Sequence, residues 1–591
     1  MSTPLPNRPS VVIVGGGMGG IQAAKMLATA PVDITLVNPC NYYLFQPLIY
    51  EVANALLQAE DVAHSIRGML RYLPNLRFRV AAASSVDWER SELRLDDGDR
   101  IGFDYLILAT GLQADFRGIP GAAEHALPLK SLDDAVKIRT QMLRRLETVA
   151  AHPALVPAGA LDVVVVGGGT TGVETAGAFA EIYHHALPEE FADLDFSHAG
   201  ITLLEAGDTI LPAFHPRMQR AAQRMLMRRG VRVRLRSPVA QAGPASVTLT
   251  DGLEIPAGMI VWATGVRATR LADSLALPQA PDGRILVQPN LSLPGHPEAF
   301  AIGDMAALPL PAGGLHPALA QFAIQGGRHA AREIMRHIGG APFRPFRYWD
   351  KGMTASVGRD GGIVQTGHIR FSGRLAFFAW GVLHSLYVPG WRNRLSIDLN
   401  WLWSYVTHRR AALMLIGETP TAQEQLGSWP PPPAVETRPE LDNAHHRDIP
   451  GDERRTPPSG QALGTPRLRA AAQVPARAGV SASRPVSRSR DEPGPAAWKR
   501  PQDKRFTGDE VPIRLMHGRV CACVVWHQVA ALEVLQLRMD MCRGVLPFDV
   551  LGVEYQALDP VVGVETDAPD ANLHDPQSHL LGLRGDGDGP G

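Results

Sequence analysis

The chain has 591 residues, 45% of them hydrophobic and 20% charged, with 58 Lys+Arg against 59 Asp+Glu and a formal net charge of -1. Such a length suits several domains with buried cores, and the charge balance argues against a whole-chain polyanion binder. Four cysteines cannot staple a disulfide-dense secreted scaffold, and only Cys40 precedes position 500. Residues 1–10 are polar and Pro-rich, with no charged segment leading into an apolar run, so no signal peptide is expected. No run reaches the ~18 apolar residues of a bilayer span. The longest, 375–383, stops at His384, so the protein is expected in the cytoplasm with a surface contact to membrane still open.

Val11-Val12-Ile13-Val14 reads as a buried strand and leads into Gly15-x-Gly17-x-x-Gly20 and a helix through Ala28. Glycines at this spacing allow a tight turn, backbone approach to a pyrophosphate, and close helix–strand packing. The helix start offers free N–H groups and partial positive charge to phosphates. A second strand, 33–37, ends at Asn38, where an acid is expected to hold ribose hydroxyls. Asparagine accepts through its carbonyl without the charge-assisted bond. Another strand runs into Ala109-Thr110-Gly111.

The pattern then repeats. Val163-Val164-Val165-Val166 precedes Gly167-x-Gly169-x-x-Gly172 and a helix, and the strand 201–204 ends at Glu205, after a polar insert at 184–200. Glutamate at this strand end favours NADH over NADPH, because a 2′-phosphate is repelled. A later strand ends in Ala263-Thr264-Gly265, and 299–303 leads to Asp304. Two nucleotide loops imply two cofactors. Strands alternating with helices imply parallel sheets.

Residues 341–417 are rich in aromatic residues and arginine, with Trp380, Trp391, Trp401 and Trp403 interleaved with Arg374, Arg392 and Arg394. Such mixing suits the lipid headgroup zone, and 370–411 is expected to form an amphipathic anchor lying on the membrane. Residues 451–505 carry 12 Lys+Arg against 5 Asp+Glu with no period, and a disordered linker is expected. Residues 506–591 carry 5 Lys+Arg against 13 Asp+Glu and no motif; a small module, an unfolded tail and an overextended reading frame all fit.

The two glycine loops with their Ala-Thr-Gly strand ends resemble the flavoproteins with two dinucleotide-binding domains. More specifically, the stretches Asn41 to Ala53 (NYYLFQPLIYEVA), Pro317 to Arg328 (PALAQFAIQGGR), Phe346 to Gly352 (FRYWDKG) and Gly390 to Arg394 (GWRNR) resemble type II NADH dehydrogenases over residues 10–417. Lacking a cysteine pair in this region, the chain has no nucleophiles for disulfide reductase or sulfide:quinone reductase chemistry.

The resemblance implies an α/β fold of two Rossmann-like dinucleotide-binding domains, the second inserted in the first, plus a C-terminal amphipathic membrane-associating region and a disordered tail. The expected boundaries are 9–118 and 293–345 for the FAD domain, 119–292 for the NADH domain, 346–417 for the anchor, 418–505 for the linker and 506–591 for the unassigned tail. FAD is expected non-covalently at Gly15, Gly17, Gly20, Asn38, Gln46, Thr110, Gly111 and Asp304. NADH is expected at Gly167, Gly169, Gly172, Glu205, Thr264 and Gly265.

Pro317 is expected in the first turn of a helix from 318 to 338 whose N-terminus faces the flavin. Gln321 and Gln325, one turn apart, are expected to line a quinone tunnel. Glu174 is expected in the first turn of its helix, orienting the nicotinamide and relaying a proton. Lys351 is expected to steady negative flavin charge, with an ion pair to Asp350 as its alternative. No metal is expected. The partners expected are a membrane quinone, the lipid surface and a second copy in a homodimer. The implied activity is NADH:quinone oxidation–reduction without proton pumping, on the cytoplasmic face of the membrane. A soluble reductase with a protein acceptor and a non-catalytic flavin-bound redox sensor remain alternatives.

Overall fold

The computed structural model describes residues 8–311, 313–410 and 412–415; the expected linker and tail, 418–591, lie outside the described residues.

Two parallel sheets dominate. In the first, the strands follow the order Ser292–Leu293, His296–Ala301, Tyr105–Leu108, Ser10–Val14, Asp33–Asn38, Leu76–Val80, and only Ser292–Leu293 runs antiparallel to its neighbour. Tyr105–Leu108 and His296–Ala301 are adjacent in the sheet although distant in the chain. The residues between them build the second sheet, in the order Ala126–Pro128, Met259–Trp262, Val163–Val166, Ile201–Leu204, Val231–Arg234, parallel throughout. Every residue of Val163–Val166, Ile201–Leu204 and Met259–Trp262 is buried, as uninterrupted apolar strands covered on both faces require.

Strands Leu112–Ala114 and Val266–Ala268 pair antiparallel where the chain passes between the two sheets, which holds the two Ala-Thr-Gly strand ends side by side. Helix Met18–Leu27 packs on helix Ala320–Ile338 at glycine contacts. A Cβ on Gly327 would lie 2.2 Å from the Gly19 carbonyl oxygen, so no larger residue fits there. Gly326 is buried in the same helix, facing Leu291 and Ile302, which makes it a packing position.

After these sheets, strands Met353–Ser356, Gly362–Thr366 and Ile369–Gly373 form an antiparallel meander that leads into helices Arg374–Tyr387 and Trp391–Thr407. The last helix turns its polar side inward. Asn393 donates to the Glu60 carbonyl at 2.8 Å, Ser396 and Asn400 donate to the Asp61 carboxylate at 2.7 and 3.2 Å, and Trp401 donates to Glu51 at 2.7 Å. Trp391, Leu395, Leu399, Trp403 and Val406 are left exposed on the opposite side. Among the described residues no helix is long and apolar enough to cross a membrane.

Two local expectations are corrected. The helix starts at Ala320, with extended Leu319 as its N-cap, so Pro317 precedes it instead of occupying its first turn. The cause lies just upstream: His316 donates its N–H to Leu308, accepts from Arg284 and stacks on Phe322, which keeps the chain extended. Glu174 lies in the second turn of helix Thr170–Glu181, beyond the N-terminal groups a carboxylate would cap, so helix capping does not account for it.

Candidate active site

The two glycine loops are built alike. Gly15 and Gly167 have φ of +112° and +113°, and a Cβ on either would strike the neighbouring Ala-Thr-Gly strand end. A Cβ on Gly20 or Gly172 would lie 1.8 Å from the Gly15 or Gly167 carbonyl oxygen, which fixes the helix against the loop. Gly17 and Gly169, by contrast, have nothing within 4 Å of a Cβ position. Both serve as N-caps of helices whose first turns carry no acid and no side-chain cap. Open space before uncapped N–H groups is the shape and polarity a pyrophosphate needs, so the residues present fit two dinucleotides.

The strand-end residues act first on their own loops. Asn38 Oδ1 accepts from Gly16 N–H at 2.8 Å, and its amide donates to the Cys40 carbonyl at 2.7 Å. Glu205 accepts from Gly168 N–H at 2.6 Å and Gly207 N–H at 2.7 Å. Each of these residues therefore sets the loop's shape, and the bare picture of a side chain reserved for ribose is incomplete.

A single cavity of about 900 Å³ extends from the first loop to the second domain. Gly15, Gly17, Asn38, Gln46, Thr110, Gly111 and Asp304 line it from the first domain, and Glu174, Thr264 and Gly265 line it from the second. Gln46 donates to the Lys130 carbonyl at 3.2 Å, and Thr110 shares a 2.8 Å hydrogen bond with Thr269 across the domain junction. Asp304 stands 3.9 Å from Lys130. Ala318 to Gln321 line the cavity beside the uncapped start of helix Ala320–Ile338, whose dipole favours negative charge there. Gly20, Gly167, Gly169, Gly172 and Glu205 are not among the residues that line the cavity.

Two expected catalytic side chains are not in the cavity wall. Gln325 donates to the Trp349 carbonyl at 2.9 Å and accepts from Trp349 N–H at 3.0 Å, which turns its amide away from Gln321. The Lys351 ammonium lies 5.1 Å from the Trp349 ring centre, and the expected Asp350 pair is replaced by a 2.8 Å bond from Gly352 N–H to Asp350. Gly352, at φ +89°, makes the turn; a Cβ there would lie 2.3 Å from the Gln365 carbonyl oxygen. The turn puts Gly352, Met353 and Thr354 in the wall and leaves Lys351 outside it.

Sequence reasoning missed three wall or near-wall groups. His384 lines the cavity; burial lowers it to about 4, so the ring is neutral, with Nδ1 2.8 Å from the Trp380 carbonyl oxygen. Its signal was a lone titratable residue closing an apolar helical run. Tyr50 and Glu51 are buried in helix Ile49–Ala53, and Tyr50 lines the cavity. Their signal was a charge within Leu48-Ile49-Tyr50-Glu51-Val52-Ala53. Burial pushes Glu174 up to about 8, with the Glu51 charge adding and a 3.1 Å bond from Ser356 N–H opposing.

Residues 9–327 match the family described as pyridine nucleotide-disulphide oxidoreductase. Two Mycobacterium tuberculosis proteins described as type II NADH:quinone oxidoreductases, Ndh and NdhA, are each 34% identical to this chain; the matches cover 71% of it and 93% of Ndh, and 70% of it and 90% of NdhA. A Plasmodium falciparum NDH2 solved in complex with NADH shares the fold at a TM-score of 0.64 and 20% identity, over 69% of this chain and 100% of that one.

Proposed function

The chain belongs to the type II NADH:quinone oxidoreductases of the pyridine nucleotide-disulphide oxidoreductase family, and on that premise we propose that its flavin is FAD, held non-covalently at the first glycine loop, with NADH at the second and quinone entering beside Gln321. The enzyme oxidises NADH and reduces a quinone without pumping protons. The bound flavin supplies the hydride and electron chemistry that links the two.

The observation that carries the assignment is the shared cavity, into which the first glycine loop, the start of the helix that follows the second one (Thr170, Thr171 and Glu174), both Ala-Thr-Gly strand ends and the start of helix Ala320–Ile338 converge. The protein's part is position and electrostatics. Gly17 and Gly169 leave room for the two pyrophosphates. Thr110, Gly111, Gln46 and Asp304 hold the FAD side, and Asn38 shapes its loop through Gly16. Thr264, Gly265 and Glu174 hold the nicotinamide side. Glu205 keeps its loop in shape and repels a 2′-phosphate, so NADH is preferred to NADPH. The uncapped start of helix Ala320–Ile338 steadies negative charge at the ring end of the site. Gln321 offers its amide to a quinone carbonyl. Gln325 and Lys351 brace the cavity mouth through Trp349 instead of touching substrate.

The exposed Trp391, Leu395, Leu399, Trp403 and Val406 support a bilayer surface as the partner of helix Trp391–Thr407, with the enzyme peripheral on the cytoplasmic face. Mass analysis of the cofactor released by heat, NADH against NADPH turnover, and flotation of the full chain with liposomes test these assignments. Released FMN, NADPH preference, or failure to float would each overturn its part. Light scattering of the detergent-solubilised enzyme checks the expected homodimer.

A further inference from the structure

Helix Pro216–Arg228 holds four arginines and no acid. Arg217, Arg220, Arg224 and Arg228 follow one another at steps of three and four residues, so they share one side of the helix, and all four are exposed. Met218, Ala221, Ala222 and Leu226 are buried on the other side. Among the described residues, none of the four guanidinium groups makes an ion pair or a hydrogen bond. Like charges one turn apart destabilise a helix. A solvated face gains nothing from this arrangement, whereas an anionic partner laid along it relieves the repulsion.

The stripe continues into the C-terminal meander. His215, the N-cap of the helix, donates its backbone N–H to Gln365 Oε1 at 2.8 Å, and Gln365 stands opposite Arg370 in the neighbouring strand. Arg370 is exposed, and its charge reaches the His215 ring: desolvation lowers that histidine first, followed by the Arg370, Arg217 and Arg220 charges. Next to Arg370, Ile369 is exposed, and the same strand leads to exposed Arg374 and Leu375 at the start of helix Arg374–Tyr387. A row of cations thus runs from the second dinucleotide domain to the exposed apolar residues of the C-terminal region.

We propose that the arginine side of helix Pro216–Arg228 is an interaction surface for anionic lipid headgroups, which draws the second dinucleotide domain onto the bilayer beside the apolar helices. This rests on the reading of a bilayer as the partner of helix Trp391–Thr407. A guanidinium binds phosphate through two parallel N–H bonds and is weakly hydrated, so arginine suits a phosphodiester better than lysine does. Four of them spread along about 16 Å of helix match a surface of many phosphates better than a single small anion. A free dinucleotide calls for a concave site, and none of the four arginines lines the cavity beside the glycine loops.

The test floats the full-length holoenzyme with vesicles of phosphatidylcholine alone, and of phosphatidylcholine mixed in equal parts with phosphatidylglycerol. Wild type is expected to float with both and to bind the anionic vesicles more tightly. That excess is expected to vanish in about 1 M salt, which screens charge within a few ångströms. The fourfold variant Arg217→Gln, Arg220→Gln, Arg224→Gln, Arg228→Gln is expected to bind the anionic vesicles at least about tenfold more weakly than wild type. It should keep its binding to phosphatidylcholine and its turnover of NADH with a water-soluble quinone. An undiminished excess in the variant, or an excess that survives salt, overturns the inference. So does a raised KM for NADH with the excess intact, which would assign the arginines to steering the dinucleotide. Wild type that floats with neither vesicle refutes the bilayer reading itself; wild type that floats equally with both refutes only the arginine surface.

Discussion

Trp401 donates its indole N–H to Glu51 Oε2 at 2.7 Å, so a helix with an exposed apolar side is fastened to a buried carboxyl beside the catalytic cavity. Removing that donor leaves a buried acceptor unsatisfied, at a cost of about 1–3 kcal/mol. Trp401→Phe should therefore lower stability by about that amount while keeping the ring packing. Chemical denaturation of the two proteins checks it; equal midpoints would show that the bond contributes nothing.

The outward side of the same helix should behave differently. Leu399→Glu with Trp403→Glu changes residues that are exposed, at 54% and 56% of their surfaces, so the fold should persist. Flotation with liposomes should fall sharply, whereas turnover with a water-soluble quinone analogue should be retained. Undiminished flotation would mean that the bilayer contact lies elsewhere.

The glycine loops predict two unequal alanine variants. Gly20→Ala puts a Cβ 1.8 Å from the Gly15 carbonyl oxygen and should give little folded protein. Gly17→Ala meets no protein atom within 4 Å and should fold. It narrows the space proposed for the pyrophosphate, so flavin should be retained poorly and added FAD should bind at least about tenfold more weakly. Equal flavin content in Gly17→Ala and wild type would count against that location.

Gln321 and Gln325 should now part company. Gln321 lines the cavity, whereas Gln325 is engaged by the Trp349 backbone. Gln321→Ala should slow flavin reoxidation by quinone and leave flavin reduction by NADH intact. Gln325→Ala should cost some stability and leave both steps close to wild type. Rapid mixing of each variant with NADH and then quinone distinguishes these outcomes.

Stability should depend on pH with a definite sign. Glu51 and Glu174 rise from an ordinary 4.5 to about 8 in the folded protein, so between these values the folded state binds more protons than the unfolded one. Stability then falls as pH rises through that window. His64 and His384, lowered from 6.5 to about 4, act the opposite way below 6.5, where the unfolded chain binds the extra protons. The clean interval is therefore 6.5 to 8, in which wild type should lose stability and the double variant Glu51→Gln, Glu174→Gln should lose less. Identical slopes would show that the pair does not titrate there.

The two glycine loops were legible because steric exclusion leaves no other residue for Gly15, Gly20, Gly167 and Gly172. Glu174 and Gln321 were legible by resemblance, and both reach the cavity. Lys351 and Gln325 stand outside the cavity wall because one turn at Gly352 and one pair of backbone bonds at Trp349 decide where those side chains go, and neither leaves a periodic trace. Glu51 was hidden for a different reason. Its partner Trp401 lies far along the chain, and only the folded structure brings that indole to the carboxyl. The inward polar face of Trp391–Thr407 was likewise invisible, since interleaved aromatic and polar residues do not say which side is covered.

The most direct test of the shared cavity is anaerobic mixing of the purified full chain with NADH and then with a water-soluble quinone, following the flavin absorbance. The account predicts bleaching on the first addition and full recovery on the second, with both steps lost together when the first glycine loop can no longer hold FAD. Flavin that stays oxidised with NADH, or stays bleached when quinone arrives, would contradict it.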